Sequence, residues 1–89
     1  MTTHNLKTIE PHFSNVLNGS KTFEVRLNDR DYQVGDFLML TEYPYVGELS
    51  LSIETQITHI LTHFEYPQGI KKGYVILSIT RGVLQDPPR

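Results

Sequence analysis

The chain reads as mainly β, of α+β type: a small mixed, partly closed barrel with one short helix packed at one end. Three observations predict this. The elements run β-α-β-β-β-β with one short helix and no second crossover helix, which argues against a parallel α/β sheet. Residues 49–63 hold a period of two over a length that has to bend or bulge to wrap a barrel. Tyr74–Thr80 is apolar on both parities, the pattern of a central strand.

Each element has its own signal. His4–Ile9 is a first short strand, with apolar Leu6 and the β-formers Thr8 and Ile9. Glu10-Pro11 opens a helix: proline suits the first helical position, and the carboxylate sits near the positive end of the dipole. Phe13, Val16 and Leu17 form one apolar stripe, and Asn18-Gly19 supplies a left-handed stop. A helix of about two turns is too short to stand alone, so it must pack on the sheet. Thr22–Leu27 then alternates, with Phe23, Val25 and Leu27 on one face and Thr22, Glu24 and Arg26 on the other.

Asn28-Asp29-Arg30-Asp31 is a polar turn, and Val34-Gly35-Asp36 is a second turn feeding the next strand. Phe37–Tyr43 is apolar on both faces, as a strand covered on both sides would be, and residues 43–48 read as a loop or hairpin tip. In the long segment Leu49, Leu51, Ile53, Ile57 and Leu61 share one parity. His59 falls on that parity too and is expected as an inner or barrel-end residue. Phe64–Gly73 is a loop, and residues 81–89 are expected as a flexible tail of a single domain spanning 1–89.

Composition narrows the function. With 89 residues and no cysteine, one domain must hold its core without disulfide or thiolate–metal support. The N-terminal residues lack the apolar core of a signal peptide, and no apolar run is long enough to span a bilayer, so a cytoplasmic location with no membrane partner is expected. The net charge of −2 gives no overall pull on polyanions, so nucleic-acid binding would need a local basic patch. No cofactor motif is present. His59 and His63 would share a helix face and could chelate a metal there, but four strand residues span roughly 13 Å, too far for one ion, and no metal site is expected.

The candidate site is Gly19–Arg26. Glu24 and Arg26 share a strand face, and Lys21 at the helix-to-strand junction can reach over it. Arginine offers a planar fork for phosphate or a base edge, lysine a mobile point charge, and glutamate an acceptor for an exocyclic amine. The ordinary alternative is an outer strand face whose charges pair with one another and add little. Arg30 would extend the basic rim, its alternative being a charge-compensated turn. Tyr43 and Tyr45, with Tyr66, are loop aromatics that could stack on bases or equally pack over a barrel mouth.

The series Gly19-Ser20-Lys21-Thr22-Phe23-Glu24-Val25-Arg26, read as G-x-K-x-x-E-x-R, resembles the signature of the ASCH domain, a branch of the PUA-like superfamily. Asn28–Tyr32, the Val34-Gly35-Asp36 turn and the closing Gly73–Ile79 segment extend the likeness from about His4 to Ile79. The resemblance implies a PUA-like barrel, a cleft near the helix–strand junction, and a role in binding RNA or a nucleotide-like ligand through Lys21, Glu24 and Arg26. Some ASCH proteins hydrolyse N4-acetylcytidine with a lysine, a threonine nucleophile and a glutamate. Lys21 matches the lysine, but Glu24 stands at the threonine position, and the later glutamate has no counterpart.

The leading expectation is therefore an RNA- or nucleotide-binding module. The alternatives are an amidohydrolase on an N4-acylated cytidine-type nucleoside, with Lys21 activating a nucleophile and Glu24 in acid/base chemistry, and a protein-interaction module.

Overall fold

The computed structural model describes residues 1–44 and 50–85, the last three as backbone only. The described residues form β1 (Thr3–Ile9), α1 (His12–Leu17), β2 (Phe23–Leu27), β3 (Phe37–Tyr43), β4 (Ser52–Thr62) and β5 (Tyr74–Gln85). The strands make one mixed sheet in the order β1-β3-β4-β5-β2, with β1 parallel to β3 and every other pair antiparallel. The sheet curls into a half-barrel, as the order of elements along the chain and the single short helix predict. β1 and β2 are its two edges, and they face each other across an open seam.

Leu38, Leu40, Ile53 and Leu77, each at 0% exposure, form the centre of the core. Phe13 and Val16 bring the apolar stripe of α1 onto it, with Leu17 packed beside them. The helix begins one residue later than the sequence predicts. Pro11 is the N-cap, and the Glu10 carboxylate reaches forward to accept from the Ser14 N–H at 3.1 Å and from the Ser14 hydroxyl. At the other end Gly19 takes φ +85°, and the Lys21 N–H returns to the Asn15 carbonyl at 2.9 Å. That turn sets the angle at which the chain leaves the helix and enters β2.

The Val34-Gly35-Asp36 turn joins the start of β1 to the start of β3. Gly35 adopts φ +97°, open to glycine at little cost. The buried Asp36 carboxylate accepts from His4 Nε2 at 2.9 Å, from the Thr2 N–H at 3.1 Å and from the Gln33 N–H at 3.1 Å. The His4 bond comes first among the interactions that hold this carboxyl below the usual value. His4 in turn meets the Tyr32 ring edge-on at 4.8 Å between centroids.

Two features of the long strands differ from the sequence reading. β4 keeps its parity through Ile53, Thr55 and Ile57, all buried, and then shifts register between Ile57 and His59. Thr58 is the extra residue, so His59 turns out to solvent instead of inward, and Ile60 takes over packing on the core. The second difference is length. β5 does not end at Thr80 but runs on to Gln85, because the far half of β4 offers it an edge: Ile53 pairs with Leu84 and Ser52 with Gln85. The expected hairpin tip beyond Pro44 and the last four residues of the expected tail lie outside the described residues.

Candidate functional site

The site is built on the inner face of β2. Alternation divides its residues as the sequence predicts, but the apolar set faces out: Phe23, Val25 and Leu27 are 43%, 52% and 50% exposed. Glu24 points inward and is 2% exposed. The simple exposed charge face is therefore ruled out for this strand.

Glu24 is the hub. Its Oε2 accepts from Lys21 Nζ at 2.7 Å, and its Oε1 accepts from Arg26 Nη2 at 2.7 Å and Nε at 3.2 Å. Strand geometry places Glu24 and Arg26 on one face, and the turn after Gly19 brings Lys21 over it. Lys21 Nζ also lies 3.4 Å from His12 Nδ1 and 5.3 Å from the centre of the Phe23 ring. A buried carboxylate flanked by two cations fixes both of them in place, since neither can leave without stranding the charge of Glu24.

Arg26 continues across the seam. Its Nη1 donates to the Lys7 carbonyl at 3.1 Å and its Nη2 to the Thr8 hydroxyl at 3.0 Å. Farther along, Arg30 Nη1 donates to the Asn5 carbonyl at 3.3 Å. Asn5 and Lys7 lie two apart on β1, so their carbonyls point along the same edge. Two guanidinium groups thus occupy the edge where a sixth strand would close the barrel, which also blunts that edge against other chains.

Two adjoining clefts flank Arg26. The first, of about 360 Å³, has Lys7, Lys21, Glu24, Arg26 and Thr8 as its charged and polar lining, with His12 and the apolar Ile9, Phe23 and Val25 around them. The second, of about 380 Å³, is lined by Asn5, Leu6, Lys7, Arg26, Arg30 and Thr41. Lys7 and Arg26 belong to both. Among the described residues, Lys7, Lys21, Arg26 and Arg30 line this seam, against Glu24 as its one carboxylate. Behind Arg30, burial raises the Tyr32 hydroxyl above its usual value, with the Arg30 charge opposing the shift.

The structure thus brings together Lys21, Glu24, Arg26 and Arg30 from the sequence-predicted set. Tyr43 stands apart at the end of β3, opposite Ile9, with Lys7 Nζ 5.0 Å above its ring. Tyr45 lies outside the described residues. Thr8, Lys7, His12 and Phe23 are cleft residues that the sequence did not mark. The first three come from β1 and the helix start, and nothing in local spacing says that these segments face β2. Phe23 carried a signal in its position beside Lys21 and Glu24, but an aromatic on an alternating strand reads as core. Among the described residues no group of three or more His, Cys, Asp or Glu is placed to hold a metal ion, and no helix is long and apolar enough to cross a membrane.

Fold and site together define a class: a small mixed half-barrel whose open seam carries a buried glutamate, its two cationic partners and a basic cleft. The chain belongs to the family described as a domain of unknown function (DUF3850), whose model matches residues 3–79. Comparison with curated proteins gives no match.

Proposed function

We propose that the protein is an RNA- or nucleotide-binding module of the ASCH type, with a PUA-like barrel and the β1/β2 seam as its binding site. The observation that carries this reading is the charge distribution: in a chain of net charge −2, the described residues along one groove include four cations and one carboxylate. Local concentration of positive charge, not net charge, is what phosphate-bearing ligands respond to. Lys21 and Arg26 contact phosphate or base edge, Glu24 holds both and can accept from an exocyclic amine, and Phe23 offers an exposed ring on which a base can stack. Arg30 extends the basic rim.

Titration of fluorescently labelled short single-stranded and hairpin RNA at low salt tests the reading. Binding is expected to weaken with salt, and Lys21→Ala to lower the slope of log K against log salt by about 0.7–1. Absence of binding at low salt, or binding indifferent to both Lys21→Ala and Arg26→Lys, overturns it. Release of free base from an acylated cytidine above a Glu24→Gln control would move the assignment to hydrolysis. Co-purification of a protein in place of nucleic acid would move it to an interaction module.

A further inference from the structure

The outer face of the sheet carries an apolar strip where β2 meets β5. Val25 pairs with Ile76 and Leu27 with Tyr74, and Val25 and Leu27 are both half-exposed. Where the strip reaches the loop joining β4 to β5, it deepens into a groove of about 320 Å³. Val25, Tyr74 and Ile76 form its strand side, and Gly69, Ile70 and Lys71 its loop side. No carboxylate is among these residues. Lys72, next to Lys71, is exposed and forms no ion pair among the described residues.

The same loop presents a protruding aromatic. Phe64 is 85% exposed, more than any other large apolar side chain among the described residues except Met1. The backbone beneath it is held in shape. His63 Nδ1 donates to the Ile70 carbonyl at 2.6 Å, and the Phe64 ring stands edge-on to the His63 imidazole at 5.6 Å. The Ile70 N–H returns to the Tyr66 carbonyl at 3.0 Å, and the Tyr66 ring lies where a Cβ on Gly69 would be. Knob and groove are thus both preformed, so a contact between them loses little freedom. Glu65, beside the knob, commits Oε1 to the Thr62 N–H and hydroxyl and forms no ion pair among the described residues.

We propose that the occupant of this groove is Phe64 of a second copy of the chain. Size allows it: apolar space of about 150 Å³ holds a benzene ring, and the groove offers about 320 Å³. The charges match, because a carboxylate follows the knob and two lysines follow one another at the groove. Closure favours it as well. Knob and groove share one loop, so a two-fold axis beside that loop lets each Phe64 enter the other copy's groove. A reciprocal contact of this kind stops at a dimer, whereas a knob remote from its hole would propagate into a ring or filament. The surface involved is small, which makes the dimer weak and dependent on concentration. None of this draws on the seam or on its ligand.

Sedimentation velocity on the full chain from about 10 μM to about 1 mM reads the assembly, with the dissociation constant expected inside that window. Phe64→Ser is expected to weaken the dimer about tenfold or more. Val25→Thr, on the groove side, should weaken it about threefold through lost apolar contact. Thermal melts establish that both variants fold. Glu65→Gln keeps the acceptor for Thr62 and removes the charge. It and the paired change Lys71→Gln with Lys72→Gln should each weaken association about two- to fivefold, and their combination no further. The methyl NMR signals of Val25 and Ile76 should move with protein concentration and stay fixed in Phe64→Ser. A chain still monomeric at the top of the range, or a dimer that persists in Phe64→Ser, overturns the inference. A monomer whose Val25 and Ile76 methyls shift instead with a short acidic peptide centred on phenylalanine assigns the groove to another protein and overturns it too.

Discussion

Glu24 and Arg26, two residues apart on β2, pair at 2.7 Å inside the half-barrel, and the arginine continues past its partner to the Lys7 carbonyl on the opposite edge. One ion pair therefore sets both the floor of the cleft and the width of the seam. Removing one member of a buried pair leaves the other short of compensation. Glu24→Ala is expected to cost about 3 kcal/mol, the lower end of the range for broken buried pairs, because Lys21 and Arg26 keep some contact with solvent. Glu24→Gln keeps the shape and an acceptor and should cost about 1–2 kcal/mol. Urea unfolding of both variants checks the order.

The inverted face of β2 makes a second prediction. Phe23→Ala should change stability by about 1 kcal/mol or less, since the ring is 43% exposed, whereas Phe13→Ala, at 1% exposure, should cost about 3–5 kcal/mol. The same denaturation measurement, applied to both, separates a cleft wall from a core residue. If the two losses were equal, Phe23 would be core.

Glycines 19 and 82 should fail for different reasons. A Cβ at Gly82 would lie 2.5 Å from the Glu54 carbonyl oxygen, where two residues of β5 oppose one of β4. Gly82→Ala therefore forces the bulge to move and is expected to cost about 1–3 kcal/mol. Gly19 has open space around it but sits at φ +85°, so Gly19→Ala should cost about 1–2 kcal/mol through backbone strain alone. Gly19→Asn, a residue that tolerates this region, should recover part of the loss, while Gly82→Asn should not.

Acid stability should report on Asp36. Its folded-state value lies below the ordinary 3.8, mainly through the His4 bond, so near that pH the unfolded chain binds more protons than the native one. The stabilisation is complete above the ordinary value and is lost as pH falls through the lower folded one. Asp36→Asn should be less stable than the parent at neutral pH and show a shallower decline in acid. Chemical denaturation at a series of pH values reads both effects.

Much of the architecture was legible in the chain. Period-two patterning marked the strands, the Phe13–Val16–Leu17 stripe and Gly19 bounded the helix, and apolar parity on both sides placed β5 between two neighbours, because these signals depend on local geometry and on how much of a segment must be covered. The grouping of Lys21, Glu24 and Arg26 was legible for the same reason, since two of them share a strand face and the third precedes it by a turn.

Which face of β2 turns inward was not legible, because alternation fixes two faces without naming the inner one. On an edge strand beside an open seam, a buried Glu24 compensated by two cations leaves Phe23, Val25 and Leu27 to the outside. The fate of His59 turned on a one-residue bulge, and a single inserted residue reverses parity for everything after it. The partners from β1 depended on closure of the sheet: residues 18 and 19 positions apart meet only because the curled sheet brings its two edges together, and Arg26 and Thr8 then bond across the gap.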